Sequence, residues 1–177
     1  MLPAIYLKVP KTRANLVQGL GGSFTDALGS SRGISNAIDR ELLLDLRSLA
    51  DVVVTDGETA RREGYRIPKA CDLAVITRAG YVPAAGVSKR NYVELRMSPP
   101  QAIRELIESG YQRILIECGP SLIAEMISVG LIDQLCLTNT SHSKADLPAL
   151  GIGTARLDWS QQQSDTTFSV WSEIQAS

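Results

Sequence analysis

Four short stretches of the chain carry residue types suited to holding a charged small molecule. Asp56-Gly57-Glu58-Thr59 and Cys118-Gly119-Pro120-Ser121 each place a glycine just ahead of a segment with helical character. Gly21-Gly22 and Thr77-Arg78-Ala79-Gly80 follow two further apolar runs. A helix N-terminus offers unpaired N–H groups and a partial positive charge, and a missing Cβ lets a phosphate come close to the backbone. Neither helix-leading stretch has the spacing of a P-loop or of GxGxxG. Tight turns explain the glycines as well as phosphate binding does.

The surrounding pattern alternates strands with helices, which is what brings such turns to one edge of a sheet. Ala14 to Leu20 reads as a first strand, ending in Gly19, Gly21 and Gly22. Asn36 is a good N-cap, and Asp39 three residues on favours the positive helix end. Leu42, Leu43, Leu46, Leu49 and Ala50 then recur at helical spacing. Asp51 to Thr55 is short, β-branched and apolar, as in a strand buried on both faces. Asp72 to Thr77 and Tyr92 to Leu95 supply two more strands.

Ser98-Pro-Pro-Gln101 is a capping box with proline at the first helical position, and Gly110 stops that helix. Arg113 to Glu117 is another buried strand. A helix follows Cys118 to Ser121 and runs to about Val129, with Gly130 as its stop. Gln134 to Thr138 is a strand, and Ala155 to Asp158 with Thr166 to Ile174 read as a closing β-hairpin. This order implies an α/β fold with a mixed, mostly parallel central sheet and helices on both faces. Ligands of such sheets bind beyond the carboxyl ends of the strands, where the four stretches lie.

Composition narrows the partners. Of 177 residues, 44% are apolar and 21% charged, so a single packed domain spanning 1–177 is the economical reading. Eighteen Lys and Arg against nineteen Asp and Glu leave no basic field for nucleic acid. The N-terminal fifteen residues form neither a secretory signal nor a membrane span. A cytoplasmic protein with a small-molecule partner is expected. Cys71, Cys118 and Cys136 are widely spaced in apolar surroundings and read as buried free thiols. One histidine, His142, lies in a polar run expected to be a solvated loop, and no metal-ligand pairing is present.

The chain resembles the riboflavin-biosynthesis pyrimidine reductase family from about Asn15 to Tyr65 and from Arg113 to Thr138. The likeness is carried by Gly29-Ser-Ser-Arg-Gly-Ile-Ser35, Asp39-Arg40, Leu46-Arg-Ser-Leu-Ala-Asp51, Thr59-Ala-Arg-Arg-Glu-Gly-Tyr65, Glu117-Cys-Gly-Pro-Ser-Leu122 and Gly130-Leu-Ile-Asp133. It implies a three-layer dihydrofolate-reductase-like fold, NADPH as cofactor, a pyrimidine or pteridine-like substrate and a homodimer. It also implies that Ser31 and Glu117 face the substrate. Gly57, Thr59, Gly119, Pro120 and Ser121 would receive the cofactor diphosphate. Thr77 and Arg78 lie where such proteins meet the adenosine 2′-phosphate, and Arg78 is equally well a solvated surface arginine. No side chain is assigned a catalytic proton transfer, because the cofactor carries the hydride chemistry.

Three turns depart from the family pattern. Where it reads Ser-Leu-Asp-Gly, this chain has Gly19-Leu-Gly-Gly22, with Gly21 at the substrate-facing aspartate. Its Gly-Ala-Gly-Thr turn is Asp56-Gly-Glu-Thr59, and its Glu-Gly-Gly-Pro is Glu117-Cys-Gly-Pro120. A carboxylate about 5 Å from a phosphate repels it by roughly 3 kcal/mol at an effective dielectric of about 20, on the order of a hundredfold in affinity. NADPH binding is therefore expected to be weak or lost. The readings left are a reductase of reduced activity, a reductase-like enzyme of changed ligand specificity, and a catalytically silent paralogue serving as a binding or assembly module.

Overall fold

The computed structural model describes residues 2–83, 91–141 and 145–177, so His142 lies outside the described residues. Its strands are β1 (Thr12–Gln18), β2 (Val52–Asp56), β3 (Asp72–Ile76), β4 (Tyr92–Leu95), β5 (Ile114–Ile116), β6 (Gln134–Asn139), β7 (Ile152–Gln163) and β8 (Thr166–Ala176). They form one sheet in the order β4-β3-β2-β5-β1-β6-β8-β7. The first six are mutually parallel, and β8 joins β6 and β7 antiparallel. The expected mixed, mostly parallel sheet with a C-terminal hairpin is what the chain forms.

Helices α1 (Ala4–Leu7), α2 (Ala37–Leu49), α3 (Gly57–Glu63), α4 (Pro99–Glu108) and α5 (Pro120–Ser128) cover both faces. Side chains of a strand alternate between faces, and the core divides accordingly. Val52, Val54, Ile114 and Ile116 pack with Ile103 and Leu106 of α4 and Ile123 and Met126 of α5. Val53, Leu73, Val75 and Leu115 pack with Tyr6 of α1, Leu46 of α2 and Ala60 of α3. Each such fully buried large side chain contributes about 1.5–3 kcal/mol.

Local signals start the helices where expected. The Asn36 side chain accepts from the Asp39 N–H at 3.0 Å and caps α2. Gln101 Oε1 accepts from the Ser98 N–H at 3.2 Å, closing the start of α4. Elsewhere the boundaries differ. β1 begins at Thr12 and ends at Gln18, two residues before the expected end, and Leu20–Gly22 is a 3-10 turn. Two polar residues at its start are buried because each has partners. Arg13 donates to Gln134 Oε1 at 2.6 Å and to the Tyr6 and Lys8 carbonyls. Thr12 donates through N and Oγ1 to Asp133 Oδ2, both at 2.9 Å, and accepts from the Asp133 N–H at 3.0 Å.

That reciprocal pair ties the start of β1 to the residue leading into β6. Replacing Asp133 with Ala leaves the buried Thr12 donors without their acceptor. A loss of about 1–2 kcal/mol of stability is expected, read as a lower urea midpoint at unchanged slope, with Asp133→Asn losing less because it keeps an acceptor oxygen.

Candidate functional site

Six parallel strands send their carboxyl ends to one edge of the sheet, and there a cleft of about 1060 Å³ opens. It is bounded by the inner face of α2, the loop before it, the start of α3 and the start of α5. Ser31, Thr59, Glu117, Gly119, Pro120 and Ser121 all line it. Gly57, Thr77 and Arg78 do not.

Glu117 stands just beyond β5 and is 6% exposed. Arg47, reaching in from α2, grips it with two hydrogen bonds, Nε to Oε1 at 2.9 Å and Nη2 to Oε2 at 2.6 Å. The Tyr65 hydroxyl donates to Oε2 in a short hydrogen bond, and the Arg47 guanidinium lies 5.2 Å from the Tyr65 ring centre. Burial alone disfavours the Arg47 cation, but its hydrogen bonds to Glu117 and the attraction of that carboxylate outweigh this and raise its pKa. Burial, reinforced by the Glu117 charge, pushes the Tyr65 hydroxyl well above the ordinary phenol range. At neutral pH the trio is a guanidinium and a neutral phenol closed around Glu117. Both Glu117 oxygens are thus engaged from within the protein. Arg47 and Tyr65 were legible only as parts of longer matched stretches, yet Asp39, Leu43 and Arg47 at four-residue spacing mark one helix face.

Asp56 ends β2 and caps α3. Its Oδ1 accepts from the Glu58 N–H at 3.0 Å and the Thr59 N–H at 2.8 Å. Its Oδ2 accepts from Thr59 Oγ1 at 2.7 Å and from the Gly119 N–H at 3.2 Å. One carboxylate thus joins the N-terminal donors of α3 to the residue that opens α5. Glu58 also lines the cleft, 72% exposed at its side chain and paired with Arg62 at 2.7 Å. Of the two acidic residues in this turn, Asp56 alone occupies the donors. At α5, no atom lies within 4 Å of where a Gly119 Cβ would stand, and the Ser121 side chain is exposed. Asp56 therefore occupies the leading N–H donors of α3 and also the Gly119 N–H at the entry to α5.

Gly57 has a different task. A Cβ there would stand 2.5 Å from Thr77 Oγ1 and 2.7 Å from Thr77 Cβ. The glycine lets α3 start hard against the end of β3, and Thr77 is buried in that contact. Arg78 is exposed. Ser31 gives its N–H and its hydroxyl to Glu63 Oε1, at 2.9 and 3.2 Å, and so ties its loop to the end of α3. Gly21 faces a second cavity of about 450 Å³, shared with Gln18, Asn139 and Asp146.

All three cysteines are buried free thiols. Burial pushes Cys71 up to about 11 and Cys136 up to about 12, and raises Cys118 well above the usual thiol range. They are protonated at neutral pH and unreactive. Among the described residues no group of His, Cys, Asp and Glu could hold a metal ion, and no helix is long and apolar enough to cross a membrane.

The carboxyl edge of a parallel α/β sheet is where such folds place their ligands, and the cleft of this chain lies there. Residues 10–142 match the RibD C-terminal domain, and the chain belongs to that family of riboflavin-biosynthesis reductases. No curated protein matches the chain in sequence. Among solved structures, a pyrimidine reductase-like protein of Corynebacterium diphtheriae superposes with a TM-score of 0.73 at 21% identity, over 99% of this chain and 96% of that one. The deaminase/reductase of Thermotoga maritima gives 0.67 at 12% identity, and the chain spans only 57% of its length while 94% of the chain is covered. The riboflavin biosynthesis reductase Rib7 of Saccharomyces cerevisiae gives 0.58 at 11% identity, over 94% of this chain and 90% of that one. The fold is the dihydrofolate-reductase-like fold of the RibD reductases.

Removing Arg47 would strand the Glu117 charge in a site of low polarity. Arg47→Met is expected to destabilise the protein by about 3–5 kcal/mol, and adding Glu117→Gln should recover part of that loss. Denaturant titration of the two single variants and the double variant measures the coupling.

Proposed function

We propose that this chain is a reductase-family protein that binds a pyrimidine or pteridine-like small molecule and has a weakened NADPH site. The family match and the cleft at the carboxyl edge support the first part. The second rests on one observation, the Asp56 carboxylate set among the N–H groups of Glu58, Thr59 and Gly119. These are donors of the kind that hold a phosphate at a helix N-terminus. A diphosphate arriving there must displace a covalently attached anion or settle beside it. The residues present therefore fit a dinucleotide poorly at α3, and at α5 the Gly119 N–H is shared with Asp56, which leaves the open backbone at Gly119 and Pro120 and the exposed Ser121 to meet it.

A second reading has a specific observation in its favour. Gly21, where the family carries a substrate-facing aspartate, supplies no carboxylate, and Asp56 fills the neighbouring cofactor turn. Two ligand-facing positions lost on an intact core favour a catalytically silent paralogue that keeps the cleft for binding, or pairs with an active relative. Both readings expect poor NADPH affinity, and they part on whether any hydride transfer to a pyrimidine-type substrate remains when NADPH is saturating.

The test is calorimetric titration of the whole chain with NADPH. Asp56→Ser keeps a helix-capping oxygen and removes the charge, so NADPH affinity should rise by about tenfold or more. Glu58→Gln, at a solvated ion pair, should change it little. Low-micromolar NADPH binding by the unaltered protein would sink the reading.

A further inference from the structure

Between β1 and α2 the chain makes a long excursion that lines the cleft through Phe24, Thr25, Gly29, Ser31 and Arg32. The middle of this excursion, residues 24–33, is cross-linked to itself. Asp26 Oδ1 accepts from the Leu28 N–H at 2.8 Å and from the Ser30 N–H at 2.9 Å. The Asp26 N–H donates to the Ser30 carbonyl at 2.8 Å, and the Gly29 N–H to the Asp26 carbonyl at 3.0 Å. The Asp26 side chain also fills the place where a Cβ of Gly33 would stand. Bonds this dense within ten residues fix the shape of the segment.

Its ties to the rest of the protein are few. Among the described residues no backbone–backbone hydrogen bond joins residues 24–33 to the sheet or to α1–α5. Their side-chain bonds to those elements end on two residues in the last turn of α3. Glu63 Oε1 accepts from Ser30 Oγ at 2.8 Å, from the Ser31 N–H at 2.9 Å and from Ser31 Oγ at 3.2 Å. Glu63 Oε2 pairs with Arg32 at 3.1 Å, and Arg32 also donates to the Glu63 carbonyl in a short hydrogen bond. Arg62 donates to the Gly29 carbonyl at 2.8 Å.

Apolar burial adds little to these ties. Phe24 packs against the core, but Leu28 is 87% exposed. Gly21 and Gly22, both at positive φ, stand where the segment leaves β1 and supply backbone with no Cβ to hinder a swing. A segment rigid inside and thinly attached outside is one that opens well before the whole protein unfolds.

We propose that residues 24–33 form a strap along the cleft that opens as one piece, with Glu63 as its latch. Opening carries Ser31 and Arg32 away from the end of α3 and widens the cleft, whatever ligand the cleft takes. Access is then set by the strength of one carboxylate's bonds rather than by global stability.

The experiment places spin labels on the whole chain at Leu28→Cys in the strap and Glu125→Cys on α5, both exposed positions, and reads their separation by pulsed electron resonance. The native cysteines are buried and take no label. The unaltered strap should show one dominant distance. Glu63→Ala should raise the population of a second distance, relative to the first, by about tenfold or more, with a width like that of the first. Ser30→Ala removes one bond of the latch and should raise it by about threefold or more. Asp133→Ala lowers global stability far from the latch and should leave the distribution unchanged. An unchanged distribution in folded Glu63→Ala, or in Ser30→Ala if the first variant does not fold, overturns the latch. A broad spread in place of a second distance overturns the rigid strap, and a shift in Asp133→Ala as large as that in Glu63→Ala overturns opening independent of global unfolding.

Discussion

A parallel sheet gathers its helix N-termini at one edge, and the unpaired N–H groups there must find acceptors. In this chain the acceptor is the Asp56 carboxylate, which spans from the first turn of α3 to Gly119 at the entry to α5. It welds the ends of β2 and β5, neighbours in the sheet, into one rigid corner. The cleft takes its shape from that corner, because α3 carries Glu63 toward the Ser31 loop and leads into Tyr65 beside Glu117. A residue at position 56 without an acceptor oxygen would leave the two helix starts to water or to a ligand.

Two carboxylates therefore sit close together at this edge and are stabilised by different means. Asp56 is held by backbone N–H groups and one hydroxyl, with no ion pair among the described residues. Glu117 is held by a guanidinium and a phenol, and both of its oxygens are engaged. A buried ion pair of this kind is weak evidence for net stability, since desolvation offsets much of the attraction. Its clearer consequence is geometric. Arg47 fixes α2 over the sheet, and Asp39, eight residues earlier on that helix, is thereby fixed over β1 and β6.

Much of the fold was legible in the sequence because its signals are local. Asn36, the Ser98 to Gln101 box and the β-branched run after Asp51 each act within a few residues, and each marks an element that forms. The short helix α1 was not legible, since its hold is tertiary: Tyr6 packs edge-on against Trp159 at 5.6 Å, far along the chain. The start of β1 was missed for a similar reason, as Thr12 and Arg13 look like surface residues until Asp133 and Gln134 are placed beside them. β7 extends beyond the expected Ala155 to Asp158 in both directions, because its polar outer face gives no alternation to read. At the site, the sequence pointed to the turns but not to their wiring. It marked Asp56 and Glu58 alike as adverse to a phosphate, whereas their partners separate them, one side chain bonded to backbone donors and the other paired with Arg62. It grouped Gly57 with the phosphate-binding residues, but the contact with Thr77 gives that glycine a packing role visible only in three dimensions.

Under the proposed function, the Asp56 corner also decides how a cofactor diphosphate would meet these turns. The backbone donors remain, so in that reading the change lies in who occupies them rather than in their loss. A hydrogen bond to a charged group contributes about 1.5–3 kcal/mol, and an attached carboxylate brings its charge without the entropy that a free ligand gives up on binding. A diphosphate can offset this only by gaining contacts elsewhere in the cleft, at Ser121 or along the walls below α2. A weak reductase and a silent binding protein thus share one competition between an internal anion and an external one, and part on whether hydride transfer follows once the external one is bound. In that reading the competition is set by the single side chain of Asp56, on a scaffold whose sheet and helices keep the family's fold.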